Sequence, residues 1–169
     1  MVLAAADARR NALVLAAAQA IVGSANPVAL SVGGLVGYSL LGQDKSLATA
    51  PVTAFVFGMA AGALPAAALV RAVGQRSGFL TGTLVTALGG VIATFALLHS
   101  NFWLFASALA ILGVGNSFVQ QFRFAAADNA PHAFKARAIS FVLAGGIVTA
   151  LLGPQIAIFT REWLQPVMF

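Results

Sequence analysis

The sequence predicts an all-α fold, a polytopic transmembrane bundle of five membrane-spanning helices, and three observations predict it. Hydrophobic residues make up 60% of the 169 positions and charged residues only 8%, whereas a soluble domain carries roughly 25% charge. The mean hydropathy is +0.95, so nine basic and four acidic side chains are too few to clothe a globule in water. Finally, the apolar residues fall into five runs, 12–42, 47–70, 79–98, 102–127 and 138–160, each at or beyond the roughly 20 residues that cross a hydrocarbon core as helix.

Residues 1–11 form an amino-terminal tail carrying Arg9 and Arg10. The run that follows is longer than the core of a secretory signal and leads straight into further spans, so it is read as span one. The polar break Gln43-Asp44-Lys45-Ser46 separates it from span two, and Arg71 to Gly78 separates span two from span three. His99-Ser100-Asn101 and then Asp128 to Arg137 make the last two breaks. Breaks this short force neighbouring helices to run antiparallel. Residues 161–169 are left as a tail whose Trp163 suits the membrane interface. Gly33 and Gly37, Gly58 and Gly62, Gly89-Gly90 and Gly145-Gly146 provide the small residues that let membrane helices approach closely. Pro27, Pro65 and Pro154 are expected to interrupt three spans.

Basic residues in short loops set orientation. With the amino terminus in the cytoplasm, Arg9, Arg10, Arg71, Arg76, Lys135 and Arg137 lie inside, with Arg123 near the inner end of span four. Only Lys45 and Arg161 fall outside, each beside an acid, Asp44 and Glu162. The chain is thus expected to end outside, and 161–169 to be an extracytoplasmic tail.

The scattered basic residues form no stripe and carry no aromatic platform, which excludes a nucleic-acid partner. The absence of cysteine removes thiolate chemistry, and His99 and His132, in loops on opposite sides, cannot share a metal. No nucleophile elbow, phosphate-cradling loop or carboxylate pair is present. No catalytic residue, metal or cofactor is expected, and the chain is not read as an enzyme.

Polar side chains within a span are functional candidates. Gln19, Gly23 and Asn26 fall at i, i+4 and i+7 in span one, and Asn116, Gln120 and Arg123 repeat that spacing in span four. Each set lies on one helix face, and two such stripes are able to line one wet cavity. They equally fit interhelical hydrogen bonds that hold a bundle together; Gln19 fits that role better. Arg123 has two readings as well: snorkelling to the inner headgroups, or facing a substrate or an ion-pair gate.

Three stretches resemble the amino-terminal bundle of the major facilitator superfamily of secondary transporters. "RAVGQRSGF" is similar to the family's cytoplasmic loop signature, with Gly74 and Arg76 matching and Arg71 standing where the family has aspartate. "APHAFKARAIS" is similar to the loop between helices four and five, where Lys135 and Arg137 match its paired basic residues. "GPQIA", with Gly153, Pro154 and Ala157, resembles the glycine-proline motif of the drug and antiporter branches. The arginine common early in the family's helix four is absent. The resemblance covers residues 11–160 and implies the amino-terminal half of the fold without its sixth helix. It also implies a second helical bundle as partner and substrate held between the halves near the midplane, with helices one and four lining that cavity.

The function expected is transmembrane transport of a small solute by alternating access, as efflux or antiport, in the inner membrane of a bacterium. The alternatives are a non-transporting membrane scaffold that keeps the bundle, and an oligomeric channel, for which no span supplies an acidic ring. The amides and the single embedded cation favour a neutral, amphipathic or anionic solute.

Overall fold

The structure, a computed structural model, describes residues 5–41, 45–128 and 130–168. Its helices are α1 (Ala5–Val22), α2 (Ala25–Leu40), α3 (Ala50–Val73), α4 (Gln75–Leu98), α5 (Phe102–Val119), α6 (Phe122–Asp128) and α7 (Lys135–Met168), with one 3-10 turn at His132–Phe134. Among the described residues five spans are long and apolar enough to cross a membrane: α1 with α2, α3, α4, α5 with α6, and α7. The outward side chains fit that solvent, since Leu64, Leu35, Ile21 and Phe57 are all at least 73% exposed and lipid covers such a surface without penalty. The hydroxyls of Thr81, Thr83, Thr86, Thr94 and Ser140 donate to carbonyls four residues back, which satisfies them inside their own helices.

Span four is the axis of the bundle. Its most apolar window is 61% buried, against 11 to 22% for the other four spans, and α5 packs on α3, α4 and α2. Lipid removes the hydrophobic drive for helix association, so close approach has to supply the attraction. Glycine supplies it. A Cβ at Gly58 would strike the backbone of Ala110, one at Gly113 the backbone of Phe55, and one at Gly115 the side chain and backbone of Thr86. Gly145 lies in the same way on Ala16, and Gly153 on Pro27. Of the paired glycines only Gly89 and Gly145 pack; Gly90 and Gly146 face open space.

These contacts also fix the helix directions. Gly58 meets Ala110 and Gly62 meets Val114, so α3 and α5 run parallel, whereas Gly82 on Phe118 and Gly89 on Leu112 make α4 and α5 antiparallel. Gly145 on Ala16 and Thr149 beside Gly23 make α1 and α7 parallel. One apolar cluster at the end where α1 begins joins Ala12, Leu15, Val119, Phe122, Ala126 and Val142. A second, at the other end, joins Ala29, Phe55, Ala96, Phe105 and Leu109.

Three expectations are corrected. The loop expected from Arg71 to Gly78 is one residue, because α3 runs to Val73 and α4 starts at Gln75. Gly74 makes the turn at φ 85 and ψ 162, backbone that is essentially confined to glycine, and Gly78 then packs on Val70. Second, Pro65 leaves α3 unbroken, and α7 continues through Pro154. Span one does break near a proline: a proline ring crowds the carbonyl four residues back, for Pro27 that of Gly23, and the helix parts at Gly23-Ser24. Third, the helix of span five does not stop at residue 160, because α7 runs to Met168. Lys45 caps the end of α2: its Nζ donates to the carbonyls of Tyr38, at 2.8 Å, and Leu41, and sits 4.3 Å from the Tyr38 ring centre. A lysine there completes a helix carboxyl end. Gln43, Asp44 and the side chains of Arg161, Glu162 and Trp163 lie outside the described residues.

Candidate functional site

Two spans are interrupted within their length. Span one parts at Gly23-Ser24 and span four at Gln120-Gln121, each inside the polar stripe of its own helix. At the second, Gln120 N–H reaches the Asn116 carbonyl at 3.3 Å and Gln121 N–H turns to Phe118 at 3.0 Å. Among the described residues, the buried polar side chains are Asn116, Ser117 and Thr149.

The stripes do not meet; no hydrogen bond among the described residues joins one to the other. Asn116, 4% exposed, turns to span two and donates from Nδ2 to Met59 Sδ at 3.3 Å. Gln19 lies against span five instead, where Thr149 Oγ1 donates to its carbonyl at 2.9 Å. Asn26 and Gln120 are half-buried, and their side-chain amides have no hydrogen-bond partner among the described residues. Arg123 is half-buried on α6, with its guanidinium 5.0 Å from the Phe124 ring centre. Its Nε is buried without a hydrogen-bond partner, so the side chain keeps an unused donor at the inner edge of the polar layer.

The loop residues gather at one end. Parallel packing of α1 with α7, and the hairpin of α3 and α4, put Arg9, Arg10, Arg71, Arg76, Lys135 and Arg137 at the same face of the bundle. Arg71, Arg76 and Arg137 are exposed and Lys135 is half-buried. Of the helix-five motif, Gly153 is buried on Pro27, while the side chains of Pro154 and Ala157 lie outside the described set.

Met59 and Thr149 are the participants that sequence reading passes over. A methionine in an apolar run carries no polar signal. Thr149 had one, because Gly145, Thr149 and Gly153 place a small residue on every fourth position of a single face.

Comparison with known proteins agrees with this architecture. A family model described as Major Facilitator Superfamily matches residues 11–164. The chain is 44% identical over 162 residues to the riboflavin transporter RfnT of Brucella anthropi, covering 96% of this chain and 40% of that protein. It is 31% identical over 149 residues to the uncharacterized MFS-type transporter YdeG of Bacillus subtilis, covering 88% of this chain and 34% of the relative. The chain therefore spans well under half the length of these relatives. No solved structure matches it.

Proposed function

The chain belongs to the Major Facilitator Superfamily, a family of transporters rather than enzymes, and from that premise we propose that it forms most of the first bundle of a solute transporter. A second bundle completes the pathway, and the two rock about a site near the midplane. The basic end faces the cytoplasm, as loop charge favours, and the chain ends on the other side. The substrate is riboflavin or a flat, neutral heterocycle like it. The observation that carries this reading is the 44% identity to a riboflavin transporter over 96% of the chain. The chemistry of the polar layer supports it, since amides at Asn26 and Gln120 and the Nε donor of Arg123 complement ring carbonyls and hydroxyls without demanding a charged solute. Gln19 and Asn116 back that surface from the bundle side.

The test is uptake of labelled riboflavin by cells or proteoliposomes containing the chain together with a carboxyl-terminal bundle. Saturable flux that unlabelled riboflavin competes away is expected. Absence of flux for riboflavin and related flavins, in a protein that remains folded in the membrane, would refute the substrate; co-purification of a partner protein in its place would favour a scaffold.

A further inference from the structure

Gln120 and Arg123 stand in line where span four is interrupted. Gln121 N–H reaches the Phe118 carbonyl at 3.0 Å and Phe124 N–H reaches that of Gln121 at 3.1 Å, so the chain on either side of Gln121 winds through bonds to the third residue back. Side chains three apart eclipse in such a turn. The interruption thereby sets one amide and one guanidinium on a single line of the polar stripe.

Those two side chains offer a fixed order of donors and acceptors. The fork of Arg123 presents parallel N–H donors and no acceptor, and its buried Nε–H has no hydrogen-bond partner among the described residues. The Phe124 ring, its centre 5.0 Å from the guanidinium, steadies the charge and leaves that donor unused. Gln120, half-buried, adds one donor and one acceptor. From Arg123 to Gln120 the pair asks a ligand for two adjacent acceptors, then a donor, then an acceptor.

An isoalloxazine ring carries that order along one edge: N1 and the C2 carbonyl accept, N3–H donates, and the C4 carbonyl accepts. The N1 and C2 carbonyl pair has the spacing of a carboxylate, which a guanidinium fork grips at two points. We propose that Arg123 takes N1 and the C2 carbonyl of the transported ring while Gln120 takes N3–H and the C4 carbonyl, so that this edge selects the solute. The proposal rests on a flavin being that solute. A ring with hydrogen on N1, such as an alloxazine or free uracil, sets N–H against N–H and is rejected. A pterin, with an amino group at C2, meets the same repulsion. The Nε is covered in the conformation described, so the fork engages once the chain turns about Gln120-Gln121. That joint is loosely tied, with Gln120 N–H 3.3 Å from the Asn116 carbonyl.

Competition against labelled riboflavin uptake, in the complete transporter that contains this chain, tests the edge. Lumiflavin keeps N1 as an acceptor, lumichrome carries hydrogen there, and a deazariboflavin with C–H in place of N1 keeps the whole side chain and loses the acceptor. Lumiflavin is expected to compete nearly as well as riboflavin, and the other two at least about tenfold more weakly, the worth of a hydrogen bond to a charged group. Arg123→Gln lacks the charge and Arg123→Lys lacks the fork, and each is expected to shrink that gap to about threefold or less. Gln120→Ala is expected to weaken all the flavins alike, because N3–H and the C4 carbonyl are common to them. Where the Arg123 variants fail to insert, the order of the analogues in the parent protein decides. Equal competition by lumichrome and lumiflavin, or a gap that survives both Arg123 substitutions, overturns the proposal while riboflavin transport stands. Absence of saturable riboflavin flux refutes the substrate itself, and the edge assignment falls with it.

Discussion

Thr149 donates its hydroxyl to the carbonyl of Gln19 at 2.9 Å, with the carbonyl of Gly145 on its own helix at 3.0 Å. This single side chain ties span five to span one at the level where span one breaks. Thr149→Val keeps the shape and removes the donor, and a loss of about 0.6 kcal/mol is expected, the average for such contacts in membrane helices. Thermal unfolding in detergent measures it, and Thr149→Ser is expected to retain most of the stability.

Close approach and open space separate glycines that look alike in sequence. Gly58→Ala pushes a methyl into the Ala110 backbone and is expected to destabilise the bundle by about 1–3 kcal/mol, as overpacking does. Gly90→Ala meets nothing within 4 Å and is expected to gain up to about 1 kcal/mol of helix propensity. Opposite shifts in the unfolding midpoint check the pair; equal shifts would contradict the packing described.

Gly74 presents the reverse case, because space is ample and the backbone is demanding. Gly74→Ala has nothing to strike, yet at φ 85 the substitution is expected to cost about 1–3 kcal/mol. A midpoint indistinguishable from the parent would mean that the turn between α3 and α4 adopts another conformation.

Topology gives a binary outcome. Alkaline phosphatase joined after Phe169 is expected to be active and green fluorescent protein joined there dark, because the first needs the extracytoplasmic side. The opposite pattern would invert the orientation and place the basic loops outside.

Within the polar layer the residues divide by their partners. For the transporter proposed above, Asn26→Ala and Gln120→Ala are expected to raise the KM for the transported solute roughly two- to tenfold, the worth of one hydrogen bond, with the fold intact. Gln19→Ala, whose interhelical bond uses its backbone carbonyl, is expected to leave KM near the parent value. Arg123→Lys retains the charge but loses the buried Nε donor, so an effect as large as that of Arg123→Gln identifies the donor, and not the charge, as the useful feature. Uptake kinetics over a concentration series distinguish these cases.

Much of the architecture is legible in the chain. Hydropathy located all five spans, and the glycine spacing found the Gly58-Gly62 and Gly145 faces that pack. The helix ends were less legible. Arg71 and Arg76 looked like loop residues because charge marks a break in an apolar run, but in the structure both belong to helices and Gly74 alone turns the chain. The continuation of α7 past residue 160 was hidden for the same reason, since Arg161 and Glu162 are as compatible with helix as with a tail.

By itself the sequence determined that the chain crosses lipid five times with alternating direction, because transfer of a run of side chains into hydrocarbon is a local sum that any window of sequence carries. Tertiary structure alone decided that Asn116 turns to Met59 and that Thr149 clasps Gln19. Lipid-facing and helix-facing surfaces in a membrane are both apolar, so the amphipathic period that marks the inner face of a soluble helix is missing. Which small or polar residue meets a neighbour is settled only when the backbones come into contact.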